Sequence, residues 1–154
     1  MSSWGAAEFA DVRKLADQMK KMEFEEFMEE CCRHLAARLL SLVIPRTPVG
    51  QYPDSSGRKG GNLRRGWTSK GNRSAKHFTD GLVIEKEGDD YMVTITNSVE
   101  YSSYVEYGHR TGGGAGWVAG KFMLTNAELQ IEKASPLILE KLLYKKLKEA
   151  LGGD

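Results

Sequence analysis

The sequence holds no apolar run near the roughly 18–20 residues that a bilayer-spanning helix needs, so no membrane-crossing helix is expected. Its opening stretch, MSSWGAAEFADVRK, has no basic region leading into an apolar one and does not read as a secretory leader. Cysteine is confined to the adjacent pair Cys31 and Cys32. Neighbours on a helix point about 100° apart, and a disulfide framework needs spaced pairs. Two reduced thiols beside a core are therefore the preferred reading over redox or metal chemistry, and the expected compartment is cytosolic. Histidine is equally sparse: His34, His77 and His109 lack the spacing to each other or to cysteine that zinc ligation requires.

Enzymatic signatures are missing as well. Gly114–Lys121 ends in Gly-Lys like a phosphate loop, but Ala115 occupies the first required glycine position. Phe122 stands where the magnesium-binding Ser or Thr belongs, so a nucleotide site is not expected. Ser102 and Ser103 lack the context of a nucleophile elbow. Asp89–Asp90 is turn chemistry. Glu100 and Glu106 read as surface or inter-subunit ion pairs rather than paired catalytic acids. The chain is not expected to be an enzyme, and no cofactor or metal is called for.

What is present is a globular composition with uneven charge. The 154 residues fit a single domain, spanning 1–154, and 40% of them are hydrophobic. Net charge is only +1, yet residues 45–79 carry +7 and residues 80–110 carry −5. Such an arrangement suits head-to-tail contact between copies, because opposite patches fix register. It also suits polyanion binding by the middle segment alone, and composition leaves both readings open.

The periodicity predicts a helix from about Glu8 to Ile44. Its stripe is Phe24, Met28, Cys31, Leu35, Leu39 and Leu42, widened by Phe27. A weaker stripe at Phe9, Val12, Ala16 and Met19 leaves open a break near Lys20–Met22. Pro45 and Pro48 are expected to end the helix. Residues 45–61, with three prolines and four glycines, form a long loop. A short helix is expected at Asn62–Trp67, and residues 68–79 offer a further strand. Residues 81–97 read as a β-hairpin turning at Glu87–Asp90, with Val83, Tyr91, Val93 and Ile95 alternating. Gly108 is read as a left-handed stop to the aromatic segment Val99–Tyr107. Residues 111–120, with five glycines, are expected to be a mobile loop. A helix over Lys121–Lys133 and a second one opened by Ser135-Pro136 complete the chain, the latter aligning Leu139, Leu143, Leu147 and Leu151. The order gives an α+β fold: a long N-terminal helix, a small antiparallel β-sheet and C-terminal helices.

Three motifs carry a resemblance. Thr47-Pro48-Val49, then Gly61-Asn62-Leu63-Arg64-Arg65-Gly66-Trp67, then Tyr101 to His109 follow one another in the order of the tail-component proteins of long-tailed phages. That family has a long helix, a Thr-Pro-Val, a Gly-Xaa-Leu-Arg and a Tyr-Ala-Xaa-Tyr-Val-Glu-Xaa-Gly block. A Phe-Met start to the C-terminal helix follows, matched here by Phe122-Met123. The resemblance runs over about residues 10–150, with Gly50–Gly60 as an insertion and Ser102 in place of the usual Ala. It implies a virion structural protein of phage, prophage or phage-tail-like particle, assembled in the bacterial cytoplasm. It further implies a ring of identical copies, commonly six, between the tail tube and the head-side connector, completing the tail and joining it to the head. The implied neighbours are tail-tube, tail-terminator or connector proteins; no membrane is involved.

Candidate assembly contacts fall in two groups. The first is Arg58, Lys59, Leu63, Arg64, Arg65 and Trp67. The second is Tyr101, Tyr104, Glu106, Tyr107, His109, Arg110 and Trp117. The tyrosines recur at steps of three and either cover the sheet or make an interface edge. The alternative is a small nucleic-acid-binding protein using the basic segment 58–76, where Arg58, Lys59, Arg64, Arg65, Lys70, Arg73 and Lys76 sit near Trp67 and Phe78. The tail-component reading allows weak nucleic-acid affinity at most.

Overall fold

A computed structural model describes residues 4–68 and 74–150. Helix α1 runs unbroken over Trp4–Arg46. Between Gly5 and Gly50 there is no glycine, and its residues are mostly strong helix formers. The break considered near Lys20–Met22 is absent, and the weaker stripe Phe9–Met19 lies outside the described side chains. Pro45 does not end α1; it is tolerated in the last turn. Beyond it the Thr47 N–H still reaches the Val43 carbonyl at 3.0 Å, so the coil closes on the residue after the helix.

The buried face of α1 is rotated from the predicted stripe. Leu40 and Val43 are fully buried and Ala36 nearly so, whereas Leu39 and Leu42 flank the core and Phe24 is 58% exposed. Packing against several elements decides the centre, and α1 is covered on more than one side. Leu40 and Val43 meet Leu63, Trp67, Val99, Met123 and Ala127 in one core cluster. Cys31 is buried further along, and burial pushes both thiols, Cys31 and Cys32, above the ordinary range.

After the loop, which holds a single 3-10 turn at Asp54–Ser56, come α2 (Asn62–Gly66) and α3 (Ala75–Asp80). The strand considered within 68–79 is therefore a helix over its second half. Ser74 caps it by accepting the His77 N–H. Strands β1 (Glu85–Glu87) and β2 (Asp90–Met92) form the expected hairpin, with the turn tightened to Gly88-Asp89. The ladder is three pairs long, but the alternation continues beyond it. Tyr91, Val93, Ile95, Asn97 and Val99 face inward while the residues between them are exposed. Upstream, Leu82 and Ile84 are the half-buried positions and Val83 is 80% exposed, the opposite phase from that expected.

Helix α4 (Ser102–Tyr107) leads into a second two-stranded sheet, β3 (Gly108–Arg110) and β4 (Trp117–Ala119). The glycine-rich segment is thus a hairpin and not a free loop. Thr111 closes its turn: its N–H donates to the Gly116 carbonyl (3.0 Å) and its Oγ1 accepts the Gly116 N–H (3.1 Å). Gly108 has φ +88 and ψ 170, a positive-φ extended bend and not a left-handed helical stop. A Cβ there would crowd the Val118 carbonyl across the sheet, so only glycine allows this approach.

One helix, α5 (Met123–Ala150), takes the place of the two expected C-terminal helices. Pro136 lies inside it. Its missing N–H would have served the Glu132 carbonyl, and Ser135 Oγ donates to that carbonyl instead, at 3.0 Å. The Ser-Pro pair therefore repairs a helix interior where it resembled a start. Helix α5 packs on α1, and Arg46 Nη2 donates to Gln130 Oε1 at 2.9 Å. Leu139, Leu143 and Leu147 are exposed, and Leu151 lies outside the described residues. No described helix is long and apolar enough to cross a membrane.

Candidate assembly surface

The three sequence motifs do most of their work inside the fold. Thr47 is fully buried at the end of α1. Its Oγ1 donates to the Val43 carbonyl (2.8 Å) and accepts the indole N–H of Trp67 (2.8 Å). One hydroxyl thus satisfies a helix-end carbonyl and a buried indole together. Arg64 lies over the same terminus. Its Nε and Nη2 donate to the Thr47 carbonyl at 3.2 and 2.8 Å, and Nη2 also reaches the Pro45 carbonyl at 3.2 Å. A guanidinium there meets both the orphan carbonyls and the negative end of the helix dipole. Leu63 and Trp67, at 4% and 3% exposure, are core residues. The first candidate group is thereby divided: Leu63, Arg64 and Trp67 face inward, and Arg58, Lys59 and Arg65 remain on the surface.

Glu106 is likewise internal, at 5% exposure. Its carboxylate accepts the Leu124 N–H (2.9 Å), the Thr125 N–H (2.9 Å) and the Thr125 hydroxyl (2.7 Å). Glu106 caps the N-terminus of α5 from another element, serving the donors and dipole that a local Ser or Asp would otherwise serve. The backbone strengthens the joint: Val105 and Glu106 carbonyls accept the N–H groups of Lys121 and Phe122. Phe122 itself has φ +48, a strained conformation for an aromatic residue.

Around this joint lies an exposed aromatic surface. Tyr101, Tyr104 and Tyr107 line one edge of α4, at steps of three, and are 43%, 59% and 61% exposed. The Tyr107 ring meets Phe122 edge-on with centroids 6.4 Å apart, and Tyr104 lies 5.8 Å from the His109 ring. Arg110 pairs across the second sheet with Trp117, which is 63% exposed. Lys59 and Tyr101 share the lining of a hollow of about 290 Å³ with Val49 and Tyr52, so the insertion loop borders the aromatic edge. Phe122 and Val118 belong to this surface and were not predicted. The only sequence signal for either is the position of Phe122 just ahead of the last helix.

A sequence model of the family described as "Bacteriophage HK97-gp10, putative tail-component" matches residues 13–108. The chain belongs to this phage tail-component family. No curated protein and no solved structure matches it significantly. The match spans α1 to the first residue of β3 and so includes Thr47, Arg64, Trp67 and Glu106. Residues 109–154 lie beyond it, including the Phe122-Met123 correspondence.

Among the described residues no group of three or more His, Cys, Asp or Glu could hold a metal ion. The nucleic-acid reading loses part of its apparatus. Trp67 is in the core, Phe78 packs against it, Arg64 is engaged at the end of α1, and Lys76 bonds Asp80 at 3.0 Å. Lys70 and Arg73 lie outside the described residues.

Proposed function

We propose that the chain forms a ring of identical copies, six by family resemblance, at the head-proximal end of the tail. There it would complete the tail and join it to the connector, as a structural part without catalysis. The observation that carries this reading is the exposed set Tyr101, Tyr104, Tyr107, Trp117 and Phe122. Several large exposed aromatics around one joint of a small domain mark a contact region, and Tyr and Trp are favoured at interface centres. Lys59 beside Tyr101 and Arg110 across from Trp117 give that surface basic neighbours, which suits acidic partners among tail-tube, tail-terminator or connector proteins. Membership of the tail-component family supports the location; the ring and its neighbours are our inference.

Immunogold labelling of purified particles tests it. The label is expected at the junction of head and tail, or at the corresponding end of a headless particle. Label along the tube, at the distal tip, or absent from particles would overturn the proposal. Tyr107→Ser with Trp117→Ser is expected to leave the circular dichroism spectrum unchanged and to yield tails that fail to join heads.

A further inference from the structure

A second interaction surface lies on α1, away from the aromatic face. Met22, Glu26, Glu30, Arg33, Ala37 and Ser41 follow one another at steps of four, four, three, four and four, forming a single stripe along the helix. Helix geometry makes this stripe about 30 Å long. Its two halves differ in sign. At the N-terminal end Met22 is 60% exposed, and Glu23, Glu26 and Glu30 are exposed glutamates. At the other end the stripe forms the floor of a groove of about 750 Å³ between α1, α3 and α5. Arg33, Arg38, Lys76 and Lys145 line that groove, with Ala37 and Leu142 as its apolar part.

The groove also contains Glu30 and Asp80; Asp80 is bonded to Lys76 at 3.0 Å, Arg33 to Glu29 at 3.2 Å, and Lys145 lies 3.8 Å from Glu149. Arg38 has no ion-pair partner among the described residues, and neither do Glu23 and Glu26. An acidic helix segment thus lies on the same face as a groove that holds the unpaired Arg38. The straight helix prevents the segment from reaching its own groove.

We propose that a second copy of this chain docks here, the two α1 helices antiparallel about a two-fold axis between Glu30 and Arg33. In that register Glu26 of each copy meets Ala37 beside the unpaired Arg38 of the other, and Glu30 comes alongside Arg33, which Glu29 of its own helix already holds at 3.2 Å. Met22 comes over Ser41. The two-fold axis makes the Glu26–Arg38 contact twice, which is the self-complementarity an isologous dimer requires. A two-fold pair of this kind does not fit a ring with a single rotation axis. The dimer is therefore a form of the chain before incorporation, and it stands apart from the ring proposed above.

Sedimentation of the full chain at low salt tests it. The wild type is expected to approach twice its 17.2 kDa mass, and no more, as concentration rises. Glu26→Arg and Arg38→Glu should each weaken association by roughly tenfold or more, since each places two like-charge contacts in the dimer. Mixing the two variants should restore it, because every Glu26–Arg38 contact in the mixed pair is again between opposite charges. Both positions are exposed, and unchanged circular dichroism confirms intact folds. A monomer at every attainable concentration overturns the proposal. So does a mass climbing past two copies, or variants that associate like the wild type. None of these results bears on where the chain sits in particles.

Discussion

Removing the Glu106 carboxylate should be the most damaging single change of charge in the chain. Its two oxygens take three hydrogen bonds: Oε2 accepts from Leu124 N, and Oε1 from Thr125 N and Oγ1. The site is nearly closed to water, and Met123 beside it is 2% exposed. In Glu106→Ala two first-turn N–H groups lose their acceptor, each at about 1–3 kcal/mol when buried. The favourable charge at the positive helix end goes too, adding up to about 2 kcal/mol. These contributions overlap, and we expect a total loss of about 3–5 kcal/mol. Glu106→Gln separates them. Its amide oxygen can keep the Thr125 pair, but its NH2 then faces the Leu124 N–H donor to donor, for a loss of about 1.5–3 kcal/mol. Urea unfolding followed by far-UV circular dichroism measures both. A Gln variant within about 0.5 kcal/mol of wild type would refute the capping argument, because a neutral surface substitution lies in that range.

Three other changes follow from the same structure. Thr47→Val leaves the Trp67 indole N–H buried without an acceptor and should cost about 1–3 kcal/mol; Trp67→Phe in the same chain should recover part of it, as a double-mutant cycle would reveal. Arg64→Glu should lower the urea midpoint by removing the bonds to Thr47 and Pro45, a loss of about 1.5–3 kcal/mol, whereas Arg65→Glu should stay within about 0.5 kcal/mol. Arg65 is therefore the clean probe of surface charge in any assembly assay. The insertion Gly50–Gly60 is exposed except at its last residue, and its ends abut so closely that a Cβ on Gly60 would overlap the Gly50 carbonyl. Replacing 51–59 with a two-residue glycine linker should change stability by no more than about 1 kcal/mol, since loop length enters closure entropy only logarithmically.

Much of the fold was legible because it rests on local signals. The long helix follows from an uninterrupted run of helix formers, the short helix at 62–66 from its position after the loop, and the first hairpin from alternation around Gly88. The failures came where one local signal had two physical meanings. Ser135-Pro136 reads as a helix start, yet Ser135 Oγ can also fill the bond that Pro136 leaves empty. A glycine-rich stretch reads as mobile, yet Gly108 also permits the close strand approach that builds the second sheet. The phase of α1 burial was missed because the core reaches it from several elements. For the candidate surface, Tyr101, Tyr104, Tyr107 and Trp117 are exposed, as an interface edge requires. The sequence could not distinguish them from Leu63, Trp67 and Glu106, since motif membership carries no information about direction.

That last point separates recognition from assembly. Thr47, Arg64, Trp67 and Glu106 each join elements that lie far apart in sequence: the end of α1 to α2, and α4 to the start of α5. Such residues are hard to replace in any chain with this arrangement, because each satisfies polar groups that would otherwise be buried without a partner. They stand in the motifs that carry the resemblance, and their engagement inside the fold leaves them unavailable to a neighbour. The groups that are available, Tyr104, Tyr107, Trp117 and Phe122 with the basic residues beside them, are held in place by the Glu106 joint and by the hairpin bent at Gly108. Trp117 and Phe122 lie beyond the matched residues 13–108. A surface mounted on a fixed joint can change its side chains to suit a different neighbour without disturbing the core beneath. The division of labour therefore runs through single motifs: in Tyr104-Val105-Glu106-Tyr107 the glutamate holds the fold and the tyrosines on either side face outward.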